Sequence, residues 1–310
     1  MTSSAKPFDL VVVGEINPDL ILSGDVVPEF GQVEKIVDDA TLTLGSSSVI
    51  FACGMARLGL RVAFLGKIGR DEFGDFMRSQ MTVRGIDATH LVVDPNLKTG
   101  VSVILSRGAD RSILTYSGSI GALRPEELDL DLLVQARHLH IGSYYLLDAL
   151  RPSIPSIFRQ AREMGMTTSL DTNYDPTEQW EGGIQETLKH TDIFLPNETE
   201  LLSITRVPRI SKALEVLCKT VAVVCVKLGA RGAVARHGTN VTRSSALKVK
   251  IVDTIGAGDS FDAGFIYGRL NDWDLERTIR LACICGSLST LTAGGCGGQP
   301  TLDEALPYMN

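Results

Sequence analysis

The stretch VDTIGAGDSFDAGF, residues 252–265, sets Gly256, Ala257 and Gly258 directly before Asp259, and helical spacing carries on through GFIYGRL. Glycines let a backbone turn tightly and approach a ligand, and a helix start aims free N–H groups and the positive end of its dipole at an anion. An acid in that first turn has two readings. It caps the helix, or it is a carboxylate held beside an anion site and able to take a proton from an attacking hydroxyl. A cap needs one residue and no pair of glycines, so the spacing favours the proton acceptor. Asp262, one turn further on, reads as structural.

The surrounding elements must hold that turn in place. Short β-branched runs (DLVVVG, RVAFLG, ARHLHIG, MTTSLD, DIFLPN, AVVCVKLG) alternate with amphipathic segments (VIFACGMARLG, DEFGDFMRSQMTVRG, IPSIFRQAREMG). Such alternation implies an α/β fold of three layers, a mostly parallel central sheet flanked by helices. Residues 19–44 and 99–117 break the pattern with strand-like runs and no helix between them. Each reads as a hairpin, and together they predict a small antiparallel sheet inserted over the carboxyl ends of the parallel strands, where α/β proteins bind ligands. The expected division is a core of 1–15, 42–97 and 119–310 and a β-sheet lid of 16–41 and 98–118.

Composition excludes several functions. With 310 residues and a net charge of −7, the chain has length for a large buried core and lacks the positive field that nucleic acid or an anionic membrane requires. The six cysteines form no CxxC pair and the five histidines no HExxH, which argues for reduced, structural thiols and against a histidine metal site. His138 and His140 alternate along an expected strand. Residues 49–66, the longest apolar stretch, are interrupted by Arg57 and Arg61, and FDLVVVG near the amino end reads as a first buried strand rather than a leader. A soluble, cytoplasmic protein is expected. GKIG at Gly66 lacks the upstream glycine and the Ser/Thr of a phosphate loop, and no GxGxxG follows the first strand.

VDTIGAGDSFDAGF closely resembles the carboxyl-terminal signature of the ribokinase-like (PfkB) carbohydrate kinases, and the resemblance spans nearly the whole chain. GEINPDLIL resembles that family's first strand and sugar-binding turn, LPNETEL its NxxE motif, KLGARG its nucleotide loop and GGQPTLDEAL its tail. The implied reaction is phosphoryl transfer from ATP to a sugar-type hydroxyl, with Asp259 as general base and the backbone of Gly256, Ala257 and Gly258 as anion hole. The resemblance places Asn17, Asp19, Gly45, Ser46, Ser47, Arg111, Ser143 and Asp259 on the acceptor. It places Asn197, Lys227, Leu228, Gly229, Gly232 and Gly258 on ATP, and Asn197 and Glu200 in the outer shell of Mg²⁺. A potassium site is implied at Asp253, Ile255, Thr292, Gly295, Gly297 and Thr301, and lid sheets of this family often pair into homodimers.

One signature departs from the pattern. Where the family carries Gly-Gly followed by Asn, this chain has GSSSVI, with Ser46 for the second glycine and Ile50 for the asparagine. Ile50 cannot hydrogen-bond a hydroxyl, so the usual ribose pose is not expected. Ser46, Ser47 and Ser48 are candidate replacements, or caps. Arg111 would suit an acidic or phosphorylated sugar, whereas fructose or a nucleoside needs no such cation. The alternatives are a nucleoside kinase of the same family and a non-catalytic binding protein that keeps the fold.

Overall fold

The computed structural model describes residues 6–107 and 110–309; Gly108 and Ala109, part of the expected lid, lie outside them. In chain order, β1 (Leu10–Val13), β2 (Pro18–Ser23) and β3 (Asp39–Leu44) lead into α1 (Ser47–Arg57). Then come β4 (Val62–Leu65), β5 (Lys67–Gly69), α2 (Glu72–Val83), β6 (Ile86–Asp87) and β7 (Val92–Asp94). β8 (Val101–Arg107), β9 (Asp110–Tyr116), α3 (Leu130–Leu133), β10 (His138–Ile141), α4 (Ile154–Glu163) and β11 (Thr167–Leu170) follow. The second half adds α5 (Ile184–Leu188), β12 (Ile193–Phe194), α6 (Glu198–Thr205), α7 (Ile210–Leu217) and β13 (Val223–Lys227). It closes with β14 (Ala233–His237), β15 (Asn240–Ser244), α8 (Ala257–Leu270), α9 (Leu275–Ser289) and α10 (Leu302–Ala305).

Nine strands form the main sheet in the order β15-β14-β13-β12-β11-β10-β1-β4-β6. From β13 through β6 the pairs are parallel, and β14 and β15 add an antiparallel edge. Strand pleating sends alternate residues to opposite faces. Leu10 and Val12 of β1 join the core packed against α1, α8 and α9, whereas Val11 and Val13 join the core under α4, α6 and α7. The sequence is read correctly as a three-layer α/β fold.

The four-stranded small sheet runs β3-β2-β8-β9. Its outer pairs are the two expected hairpins, but β2 and β8 pair in parallel, so the sheet is mixed rather than antiparallel. Both inner strands leave the core from the same edge, which forces them to run in the same direction. β3 also runs past residue 41: Thr43 and Leu44 pair with Asp19 and Pro18. The sheet leans over the carboxyl edge, and Arg111 on β9 reaches Asp253 at 3.6 Å and Thr254 at 3.5 Å. Among the described residues no helix is long and apolar enough to cross a membrane.

Candidate active site

The residues expected to meet the acceptor, the Gly256–Gly258 turn and a cavity of 630 Å³ come together near the start of α8. Gly256 is its N-cap with φ +70°, a left-handed conformation that glycine adopts without strain, and Asp259 lies in the first turn. Burial pushes the Asp259 carboxyl up to about 8; the charges of Asp171 and Glu15 add to this, while Lys227 and the Ser47 hydroxyl oppose it.

On one side stand the residues expected to meet the acceptor. Asn17 Nδ2 donates to Asp19 Oδ1 at 3.2 Å and to Ser102 Oγ at 3.3 Å, tying the turn after β1 to the small sheet. A Cβ at Gly45 would lie 2.1 Å from Asp19 Oδ1, so this pair requires glycine there. Burial, with the neighbouring charge of Glu15, raises Asp19 to about 7. Asn173 Nδ2 donates to Ser47 Oγ at 3.2 Å and to Ser143 Oγ at 3.3 Å, drawing those two serines together.

Ser46 does not join them. Its hydroxyl donates to the Glu15 backbone carbonyl at 2.6 Å and accepts from Val49 N–H as the cap of α1. Ser48 Oγ donates to Glu15 Oε2 at 2.6 Å. Two of the three serines therefore satisfy a buried acid two residues beyond β1, and Ser47 alone faces the site. Ile50 is buried against the turn: it is 3 % exposed, and a Cβ on Gly256 or Gly295 would strike its side chain at 2.8 or 2.3 Å.

On the other side of α8 a cavity of 630 Å³ is lined by Lys227, Gly229, Gly232, Leu247, Val249, Gly258 and Phe261, among others. Leu228 packs into the opposite hydrophobic core instead, and Asn197 is not part of the lining. Asn197 and Glu200 form a capping box at α6: Asn197 Oδ1 accepts from Glu200 N–H, and Glu200 Oε2 from Asn197 N–H, both at 2.9 Å. Glu200 is 4 % exposed, and burial raises its carboxyl to about 7. A larger cleft of 870 Å³ runs under the small sheet, lined by Ser23, Thr41, Thr43, Ser106 and Arg111, and shares Ile251 and Thr254 with the first cavity.

Of the positions implied for potassium, Asp253, Ile255 and Gly295 lie against the anion turn. Asp253 accepts from Ile255 N–H at 3.0 Å and from Gly294 N–H at 2.9 Å, and a Cβ on Gly256 would be 2.7 Å from Gly295 Cα. Thr292 packs on Gly297, and the Thr301 hydroxyl caps α10. No cluster of three or more His, Cys, Asp or Glu suited to a metal occurs among the described residues.

Sequence reasoning missed Glu15, Asp171 and Asn173. It also passed over the partners of Lys227, whose ammonium lies 2.7 Å from Asp171 Oδ2 and 2.8 Å from Asp262 Oδ2. The available signal was position: Glu15, Asp171, Asn173 and Lys227 all sit at or just beyond the carboxyl ends of parallel strands. His138 and His140 are neutral core residues, both pushed down to about 3 by burial and both bonded to Ser169 Oγ at 2.7 Å.

The model for the pfkB family carbohydrate kinases matches residues 8–302. The chain belongs to that family. This kinase is 30 % identical over 255 residues to a protein of Archaeoglobus fulgidus described as an uncharacterized sugar kinase, covering 82 % of this chain and 98 % of the other. It is 27 % identical over 326 residues to 5-dehydro-2-deoxygluconokinase of Geobacillus kaustophilus, covering 98 % and 94 %. Among solved structures, Arabidopsis thaliana ribokinase complexed with ribose and ATP has the same fold, with a TM-score of 0.85, 24 % identity and coverage of 98 % and 99 %. The chain is thus a carbohydrate kinase, a phosphotransferase of ribokinase-like fold.

Proposed function

We propose that this kinase transfers the γ-phosphoryl group of ATP to a hydroxyl of a sugar or sugar derivative. The observation that carries the reading is the position of the anion turn. Asp259, bonded by the Ser47 hydroxyl, directly follows Gly256–Gly258, and Gly258 lines the cavity. In this reading Asp259 takes the proton of the attacking hydroxyl, and the N–H groups of the turn stabilise charge growing on the transferred group. The small sheet is the lid that excludes water over the acceptor. Exposed Ile113, Leu114 and Tyr116 on its edge strand β9 support pairing of lids in a homodimer. The reading places the enzyme in the cytoplasm, where ATP is supplied.

Mg²⁺ belongs to the same proposal. Asn197 and Glu200 are engaged with each other, so they fit a metal only through its bound waters, and the ion would neutralise phosphate charge. Asp253 is the carboxylate this reading gives to a monovalent cation: it accepts the N–H groups of Ile255 and Gly294, and a cation there would share it with the Arg111 guanidinium 3.6 Å away. Exchange of K⁺ for Na⁺ at constant ionic strength is expected to slow turnover several-fold; equal rates in the two salts remove the cation from the reading.

The deciding experiment incubates the kinase with ATP, Mg²⁺ and a panel of neutral sugars, sugar acids, sugar phosphates and nucleosides while following ADP. Release with at least one sugar-type acceptor is expected. Release with nucleosides alone would make it a nucleoside kinase, and release with none would leave a binding protein.

A further inference from the structure

Lys227, which the resemblance places on ATP, forms with Asp171 and Asp262 a buried set to which the reading above gives no further role. The ammonium comes from the end of β13, one carboxylate directly follows β11, and the other projects from the second turn of α8. The side chains are 13 %, 9 % and 1 % exposed, with Lys227 Nζ at 2.7 Å from Asp171 and 2.8 Å from Asp262. Asp262 Oδ1 is buried with no partner. Two carboxyl groups withdrawn from water around one ammonium, with burial pushing the Asp262 carboxyl well up, are costly to keep, and an apolar trio of equal volume holds a sheet to a helix at least as well.

Position gives the set its use. A Cβ on Gly258 would lie 3.8 Å from both Cδ and Nζ of Lys227, and Lys227 also lines the 630 Å³ cavity. Two of the three ammonium donors are taken by carboxyl oxygens, which leaves one donor free beside Gly258. The groups whose charge or hydrogen bonding acts on Asp259 are Asp171 beyond β11, Lys227 from β13, Glu15 from the turn after β1, the Ser47 hydroxyl from α1 and Cys296 from the glycine loop. Lys227 is the sole cation among them.

We propose that Lys227 is a positioning residue for phosphoryl transfer: clamped by Asp171 and Asp262, its ammonium braces the first turn of α8 and keeps the Asp259 carboxylate ionisable as the base. This rests on the reading of Asp259 as the base.

The test is the pH dependence of kcat/KM in four variants. Asp259→Asn abolishes the limb that wild type shows. Lys227→Met moves that limb to higher pH by about one unit and lowers kcat, because the cation opposing ionisation is gone. Asp171→Asn moves it to lower pH by a similar amount, about one unit, because a repelling charge is gone while Lys227 stays. Lys227→Arg keeps the charge and restores the wild-type limb. A brace with no electrostatic role would lower activity in the first two clamp variants without shifting the limb in opposite directions. Should Lys227→Met fail to fold, Asp171→Asn and Lys227→Arg decide: an unmoved limb in the former or a displaced one in the latter overturns the assignment. A limb that survives Asp259→Asn overturns the base reading and the assignment with it. A limb lost in Asp259→Asn yet unmoved in the clamp variants overturns the assignment alone.

Discussion

Asp259→Asn lowers turnover by ~10²–10⁴-fold and leaves ATP binding and the fold intact. Asparagine matches the carboxylate in volume, so the first turn of α8 and its N–H groups stay in place, while the proton of the acceptor hydroxyl loses its destination. Stopped-time assays with whichever acceptor the panel identifies, alongside nucleotide titration, check the two halves separately; near-normal turnover would remove Asp259 as the base. Stability gives an independent readout. The carboxyl is raised from 3.8 to about 8 in the folded protein, chiefly by burial. Between those values the folded state holds a proton that the unfolded chain has lost, so this group's contribution is fully present below pH 3.8 and is lost as pH rises through about 8. The Asn variant has no such loss. Its melting temperature should exceed that of wild type at pH 8 by several degrees and converge with it near pH 4. A constant difference across that range would mean that the carboxyl titrates normally.

How much of this was readable beforehand depends on how far apart the partners are. The alternation of β-branched runs and amphipathic helices announces the parallel sheet, and the GAGD spacing announces the glycine turn that opens α8, because both patterns are local. The clamp on Lys227 is not local. Its partners stand 56 and 35 residues away, and a single sequence contains no mark that pairs them. The same holds for GSSS. As a string, it looks like a damaged sugar motif with spare hydroxyls. In the fold, Ser46 and Ser48 neutralise the demand of Glu15, an acid that burial would otherwise leave unpaired. Ile50, which as a letter is a lost sugar contact, proves to pack from α1 onto Gly256 and Gly295. NxxE carries two meanings at once: the capping box that fixes the start of α6 also uses the side chains that the resemblance gives to magnesium. The mixed small sheet was misread for a related reason, since hairpins are specified by their own residues but the pairing between hairpins is set by where both strands leave the core.

The two glycines of the turn that opens α8 answer to different constraints, and alanine substitution separates them. Gly256→Ala is expected to cost ~10²–10³-fold in turnover, the loss seen when an oxyanion donor is displaced. Its φ of +70° disfavours any side chain by roughly 1–2 kcal/mol. The larger effect is steric. The new Cβ would stand 2.7 Å from Gly295 Cα and 2.8 Å from Gly295 O, and backbone cannot swing aside as a flexible side chain does. Either the turn or the glycine loop must shift, so the N–H groups lose their aim and the melting temperature drops. Gly258→Ala meets no such wall. Its φ is not positive, and the nearest protein atoms to the new Cβ are those of Lys227 at 3.8 Å, an ordinary van der Waals separation. The fold should therefore tolerate this change with an unaltered melting temperature. The methyl group instead occupies space on the cavity side of the turn, where the reading puts the phosphates, so KM for ATP rises. Equal loss of stability in both variants would show that the pair exists to form the turn; loss confined to Gly256→Ala, with a KM effect in Gly258→Ala, is what a turn shaped around a phosphate requires.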